Sequence, residues 1–185
     1  MPDRGPDSGP NGGEGHIGFA PVTPDHYALL RDWLGRPHMR QWWGDPDEEF
    51  GSIRDMVEGR DTTRPFVILL DGEPVGYIQC WSVGEHQSGQ WATDHPWLLD
   101  LPTDAVGVDL SIGDPDRLSQ GIGSAALSAF VRVLREEGRR TIVIDPDPAN
   151  GRAVRAYEKA GFRVIPDLVG RTGANVLLMR FEPEA

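Results

Sequence analysis

Residues 117–126 read Arg-Leu-Ser-Gln-Gly-Ile-Gly-Ser-Ala-Ala, and they open a long amphipathic stretch, 120–137, in which Ile122, Ala126, Phe130, Val133 and Leu134 share one stripe. Just upstream, 105–112 alternates: Val106, Val108, Leu110 and Ile112 take one face, and Gly107, Asp109 and Ser111 the other. A strand that passes through two closely spaced glycines into a long helix must lie in a layered α/β fold. Gly121 and Gly123 leave the main-chain N–H groups around Ser119, Gln120, Ile122 and Ser124 unobstructed. The helix dipole adds positive partial charge at the same point. The segment is therefore a candidate phosphate cradle, although a helix entry that holds no ligand uses glycine in the same way.

The rest of the chain supplies the layers. Residues 17–22 can pair as a first strand. Thr23-Pro24 is a helix start, Tyr27, Leu30 and Leu34 follow at helical spacing, and Gly35 stops the run. A short segment, 36–43, leads to a second helical stretch with Phe50, Ile53 and Val57 on one face. Asp71-Gly72 turns a hairpin between strands 65–70 and 74–81. Residues 84–102 read as irregular and long enough to suspect a function. A strand over 140–144, a helix over 150–160 with Ala153, Tyr157 and Ala160 inward, and closing strands near 161–165 and 174–181 complete the order. That order predicts an α/β (α+β) mixed sheet with helices on both faces.

Composition narrows the function. The 185 residues carry 18 Lys and Arg against 29 Asp and Glu, a formal charge of −11. Such a surface repels phosphodiester backbones and anionic lipid, so neither nucleic acid nor membrane is an expected partner, and a cationic ligand is. The apolar run 66–70 is far shorter than the roughly 20 residues of a membrane span. A single cysteine excludes a disulfide framework, and the five histidines show no metal-ligand spacing, so no metal site is expected. Cys80 shares a strand face with Ile78 and reads as a small buried thiol. No charged-then-apolar leader is seen, which points to the cytoplasm. Residues 1–15, with five glycines and three prolines, read as a disordered tail ahead of one domain over 16–185.

Gly121, Gly123 and Ala126 formally fit G-x-G-x-x-[GA], and Asp145 sits where a ribose-binding acid would stand. A dinucleotide fold nevertheless needs its first glycine almost directly after the strand, and here residues 113–120 intervene. The turn, followed by Asn150 and by Ala156-Tyr157-Glu158-Lys159-Ala160-Gly161-Phe162, instead resembles the GNAT superfamily of acetyl-CoA-dependent N-acetyltransferases, whose acyl-CoA loop reads [QR]-x-x-G-x-[GA]. The sequence departs from that loop at Leu118, with Arg117 one residue earlier. Trp42-Trp43-Gly44, the hairpin from Gly72 to Tyr77, Gly107-Val108-Asp109 and the run from Asp145 to Asn150 are similar to the aminoglycoside 6'-N-acetyltransferases. The likeness extends over roughly residues 16–182. Siderophore and diamine N-acyltransferases share much of the outline.

The resemblance implies a GNAT-like, mostly antiparallel twisted sheet and acetyl-CoA as cosubstrate. Its diphosphate would lie on Ser119, Gln120, Gly121, Ile122, Gly123 and Ser124. Asn150 either caps its helix or bonds the pantetheine arm, and Arg152 and Arg155 face the nucleotide phosphate or solvent. Acetyl transfer to an amine needs a held thioester, a deprotonated amine and a proton source for the thiolate, with most of the acceleration coming from positioning.

Asp109 is the candidate for binding the ammonium and taking its proton, the other reading being an exposed carboxylate on a wet face. Tyr157 matches the tyrosine that the family uses as general acid, or is core. Asp145 belongs to a turn by its own sequence, and to the ammonium groups of an aminoglycoside by resemblance. Asp94, Asp100, Asp104, Asp109, Asp114 and Asp116, with no Lys or Arg between 91 and 116, can form an acidic wall that steers a polycation. Trp42, Trp43, Trp91 and Trp97 offer stacking faces.

The expected activity is direct acetyl transfer from acetyl-CoA to a primary amine, foremost the 6' amine of an aminoglycoside, by a monomer or homodimer. A siderophore-precursor or polyamine acyltransferase is one alternative. A CoA-binding sensor without turnover is another.

Overall fold

A computed structural model describes residues 15–183; apart from Gly15, the tail expected at 1–15 lies outside the described residues. In chain order the elements are β1 (Ile17–Pro21), α1 (Tyr27–Leu34), α2 (Pro37–Trp43), α3 (Pro46–Val57), β2 (Arg64–Leu70), β3 (Glu73–Ser82), α4 (Gly89–Asp94), β4 (Val106–Ile112), α5 (Ile122–Glu136), β5 (Ile142–Ile144), α6 (Gly151–Lys159), β6 (Phe162–Val164) and β7 (Met179–Phe181). One seven-stranded sheet runs β1-β2-β3-β4-β5-β7-β6. Every pair is antiparallel except β4–β5.

Strand parity decides which helices each face receives. Ile68, Ile78, Cys80, Val106, Val108, Ile112, Ile142 and Ile144 meet α5 and α6 on one face. There Phe130 of α5 takes Phe19 and Phe66 edge-on at centroid distances of 5.0 and 5.4 Å. On the other face Val67 and Tyr77 pack on Leu30, Trp33, Leu34, Met39, Phe50 and Ile53 of α1–α3. Farther along that face, Val83, Ala105 and Val143 meet Trp97, Leu98 and Leu101. The hairpin turn is built on Asp71 and Gly72, both at positive φ (53° and 85°), the pairing that matches strand twist.

Three stretches differ from expectation. Residues 37–43, read as a connecting segment, form α2, because Pro37 starts a turn and Met39 finds a buried seat. Residues 84–102 are not irregular: two 3-10 turns flank α4, and the second buries Trp97 and Leu98. The last strand begins only at Met179, since Leu177 N–H bonds Pro146 O instead of a strand partner and Thr172 Oγ1 donates to Val176 O.

The feature that makes a site is a missing ladder. β4 and β5 pair only at Val106↔Ile142 and Gly107↔Val143. Beyond that point the strands part, so that Val108–Ile112 has no β5 partner and the sheet opens as a wedge. The far end of β4 is tied down from the α1–α2 side. Trp33 covers Gly113, where a Cβ would come within 2.2 Å of its ring, and Arg36 and His38 bond Gly113 O (2.9 Å) and Ile112 O (3.0 Å). These ties set α2 over the wedge. Among the described residues no helix is long and apolar enough to cross a membrane.

Candidate active site

Two chambers occupy the wedge and share Trp42, Trp43, Leu110, Asn150, Ala153 and Tyr157 as their common wall. The first, about 340 Å3, lies between the end of β4, the entry to α5 and one side of α6. Its lining includes Arg117, Arg152, Arg155 and Lys159 and, among the described residues, no carboxylate. The second, about 280 Å3, reaches down β4 and β5; its lining includes Glu49, Asp109, Asp145 and Asp147 and, among the described residues, no Lys or Arg. In a chain of charge −11 the cations gather on one side of Tyr157 and the carboxylates on the other.

The first chamber contains the glycine turn. Ser119 (φ 63°) and Gly121 (φ 83°) bend the chain left-handed, and α5 begins at Ile122. The first intrahelical bond comes from Ala125 N–H to Gly121 O, so the earlier amides from Ser119 to Ser124 bond no main-chain carbonyl among the described residues. A Cβ at Gly121 would meet nothing within 4 Å, and one at Gly123 only Ile112 Cγ1 at 4.0 Å: the space over the turn is open. Ser119, Gly121, Gly123 and Ser124 line the chamber. Ile122 points instead into the core, and the Gln120 amide turns back to Asp116 O (2.7 Å); of these two only the main-chain N–H is offered. Leu118 packs on the core cluster and lines the chamber with its apolar side chain, and Arg117 lines it as well, so the cation stands one residue before the position at which the sequence departs from the family loop. Free amides, a helix dipole and four cations fit the diphosphate and phosphate groups of a coenzyme A.

In the second chamber, parity puts Asp109 on the face opposite α5. Gln79 Nε2 donates to Asp109 Oδ2 at 2.9 Å, and the Tyr77 hydroxyl donates to Gln79 Oε1 at 2.6 Å. Burial pushes the Asp109 pKa up, against the hydrogen bonds from Gln79 and the Trp81 indole, which pull it down. Asp145 is driven well above the ordinary carboxylate range, chiefly by burial and then by the charge of Asp109. Glu49 is raised by burial and by Asp109 and Glu48. Asp147 is engaged in its own turn, accepting from Ala149 N–H at 2.7 Å. Asn150 caps α6 through Oδ1 (3.2 Å to Ala153 N) and still lines both chambers. The Tyr157 ring is buried on α6, and its hydroxyl bonds no protein group among the described residues. Burial, then the Asp109 and Asp145 charges, hold its pKa above the ordinary phenol value.

Trp42, Trp43, Asp109, Asp145, Asn150 and Tyr157 thus converge. Trp91 and Asp94 do not line either chamber: Trp91 is 57% exposed on α4, stacked on His95 at 5.1 Å, and Asp94 accepts from Gln90. Trp97 is core. Of the acidic run 91–116, only Asp109 lines a chamber; Asp100 pairs with Arg171 and Asp114 caps a 3-10 turn. Sequence reasoning missed Glu49 and Gln79. The signal for Glu49 was its place beside Phe50 and a turn before Ile53, which rotates it to the margin of the buried stripe. Gln79 carried the same parity signal as Tyr77 and Trp81. Among the described residues, no group of three or more His, Cys, Asp or Glu is arranged to hold a metal.

Comparison with known proteins agrees with this geometry. A family model described as an acetyltransferase (GNAT) domain matches residues 23–169. The aminoglycoside N(6')-acetyltransferase type 1 of Klebsiella pneumoniae is 32% identical over 149 residues, covering 76% of this chain and 71% of the relative. A kanamycin resistance protein of Rhizobium radiobacter is 35% identical over 77 residues, 41% of this chain and 67% of its own. The crystal structure of the aminoglycoside acetyltransferase AAC(6')-Ib with coenzyme A and kanamycin superposes with a TM-score of 0.72 at 27% identity, covering 89% of this chain and 94% of that one. With its wedge between two parallel strands, its glycine cradle and this match over most of its length, the chain belongs to the GNAT acetyltransferase family.

Proposed function

We propose that the protein transfers the acetyl group of acetyl-CoA to a primary amine of a polycationic acceptor, foremost the 6' amine of an aminoglycoside. One observation carries the reading: a cationic chamber with a glycine cradle abuts a chamber whose charged lining, among the described residues, is carboxylate only, and the wall between them holds a tyrosine hydroxyl that bonds no described protein group. The relatives' names and the kanamycin and ribostamycin complexes of AAC(6')-Ib support the acceptor class.

The cradle amides with Arg117, Arg152, Arg155 and Lys159 would hold the phosphates, and the coenzyme would supply an acetyl thioester, an acyl group activated toward amines. Glu49, Asp145 and Asp147 compensate the acceptor's ammonium groups. Glu49 and Asp145, both raised in the empty site, return toward the ordinary carboxylate pKa when so paired. Asp109, whose ionised form its donors favour against burial, takes the proton that the reacting ammonium must lose. Tyr157, protonated throughout the physiological range, holds a proton for the departing thiolate. Once the acceptor's charge offsets Asp109 and Asp145, that hydroxyl becomes a better acid than in the empty site. The net change exchanges one C–S bond for one N–C bond; of the two protons that the ammonium nitrogen loses, one ends on the thiol and the one taken by Asp109 leaves to solvent. The lone cysteine and the need for acetyl-CoA favour the cytoplasm as the place of action.

Thiol release by the purified protein with acetyl-CoA, over a panel of kanamycin, spermidine and N6-hydroxylysine, tests the reading. Turnover of kanamycin with acetylation at the 6' nitrogen, located by NMR, is expected. Turnover of spermidine or the hydroxylated lysine alone would move the acceptor to those classes. Coenzyme binding without turnover of any amine would overturn the enzyme reading in favour of a sensor.

A further inference from the structure

We infer that Tyr77 and Gln79 are positioning residues that fix both the charge and the facing oxygen of Asp109, through a hydrogen-bond chain that runs one way. The inference rests on Asp109 being the proton acceptor of the proposed reaction. The chain is buried and contiguous: Tyr77, 2% exposed, gives its proton to Gln79 Oε1 at 2.6 Å, and Gln79 Nε2 gives one to Asp109 Oδ2 at 2.9 Å.

An amide between a phenol and a carboxyl group has two orientations. With Nε2 toward Asp109, Oδ2 must be an unprotonated acceptor, which favours the ionised carboxylate, and the phenol must donate. With the amide reversed, a protonated Asp109 donates to Oε1 and the phenol accepts from Nε2. The phenol then has to place its own proton elsewhere, and the structure offers it Met56 Sδ at 3.7 Å, a weak acceptor. The surroundings therefore favour the first orientation, in which Oδ2 is occupied and Oδ1 is left for the amine. The Trp81 indole acts in the same sense. It lies across Gly107, where a Cβ would come within 2.1 Å of Trp81 Cε2, and lowers the pKa of the carboxyl as Gln79 does. The charged groups that line the chamber with it are all acidic: Glu49 of α3, and Asp145 and Asp147 beyond β5, with the neutral Tyr157 of α6 beside them and no cation in the lining among the described residues. The hydrogen-bond chain keeps a base in an otherwise anionic chamber.

The test compares wild type, Gln79→Leu and Tyr77→Phe by two readouts: the pH profile of kcat/KM for kanamycin, and the carboxyl 13C titration of Asp109 in the free protein, assigned by its loss in Asp109→Asn. Removing a donor to the carboxylate disfavours its charged form. Gln79→Leu should therefore move the acid limb and the 13C midpoint up by about one pH unit, a tenfold loss of the ionised base on the acid side. Tyr77→Phe frees the amide to reverse and should move both in the same direction by less. A purely structural role would lower kcat/KM equally at every pH and leave both midpoints in place, and that result overturns the inference. So does a midpoint that falls. Absence of kanamycin turnover in the wild type would refute the acceptor assignment alone, because the 13C midpoints still decide the positioning role. If Gln79→Leu does not fold, the Tyr77→Phe titration decides it.

Discussion

Gly121 and Gly123 look alike in sequence, yet the structure assigns opposite consequences to their replacement by alanine. Gly121 sits at φ 83° with nothing within 4 Å of a notional Cβ, so Gly121→Ala causes no collision and costs only left-handed strain, about 1–2 kcal/mol. Gly123 lies within the first turn of α5 outside the positive-φ region, and its Cβ would meet only Ile112 Cγ1 at 4.0 Å. Gly123→Ala should therefore stabilise the free protein by about 0.5–1 kcal/mol through helix propensity. The strain at Gly121→Ala divides between two observables. If the turn stays left-handed, folding stability falls by the full amount and coenzyme affinity is unchanged. If it relaxes, stability is spared and affinity falls by up to about 30-fold, because binding must restore the turn. In either case the coenzyme complex, measured from the unfolded chain, loses the same 1–2 kcal/mol, which is about 2–8 °C in Tm at saturating CoA for a domain of this size. Thermal unfolding with and without saturating CoA, with calorimetric titration for affinity, measures both terms. A Gly121→Ala complex as stable as wild type would refute the claim that this left-handed turn shapes the cradle. A Gly123→Ala protein that lost most of its CoA affinity would show that the space above Gly123 is not spare.

Asp109→Asn should lower kcat/KM by about 10²–10⁴ in steady-state assays, with CoA affinity by calorimetry unchanged, because Asp109 lines only the carboxylate chamber. Tyr157→Phe should lower kcat and leave kanamycin binding, read by fluorescence quenching, within about twofold; an effect confined to KM would make Tyr157 a binding group. Asp145 has a raised pKa in the folded chain. Between its unfolded and folded values the native state holds more protons than the unfolded one, so its effect on stability worsens as pH rises through that window. Asp145→Asn should accordingly raise Tm at pH 7.5, have little effect at pH 4, and weaken acceptor binding; an equal Tm gain at both pH values would show that the change is one of packing.

The layers were legible in the sequence because local patterns dictate them. The stripe from Ile122 to Leu134 became α5, and the alternation from Val106 to Ile112 put Asp109 on the face away from that helix. The cradle was legible for the same reason, since glycines at a helix entry carry their meaning locally. The carboxylate chamber was legible only in part, through Asp109 and, by resemblance, Asp145, and its composition shows why. The acidic run 91–116 promised a wall because its charges adjoin in sequence, yet Asp100 turns to Arg171 and Asp94 to Gln90, each satisfied on the surface where solvation costs least. The chamber draws Glu49, Asp109 and Asp145 from three separate segments, and only the fold joins them. Glu49 and Gln79 reach Asp109 because α3 packs on the face that Tyr77 and Gln79 share. Asp145 reaches it because β5 stops pairing with β4 after Val143 and leaves the space between unfilled.

That gap in the ladder lets buried like charges persist. Had the β4–β5 ladder continued, Leu110 and the backbone of β5 would close the wedge, and Asp109 and Asp145 would face each other across a dry sheet with no counterion. Such an arrangement leaves uncompensated buried charge, which proteins avoid. An open wedge instead leaves the two carboxylates beside a cavity that a cation can enter. Their mutual repulsion then becomes binding free energy for the acceptor: each ammonium that arrives removes an unfavourable interaction as well as forming a favourable one. On this physical ground a diammonium acceptor should raise Tm by more than twice the increment of a monoammonium analogue at the same occupancy. Increments that merely add would show that Glu49, Asp109 and Asp145 bind as independent sites.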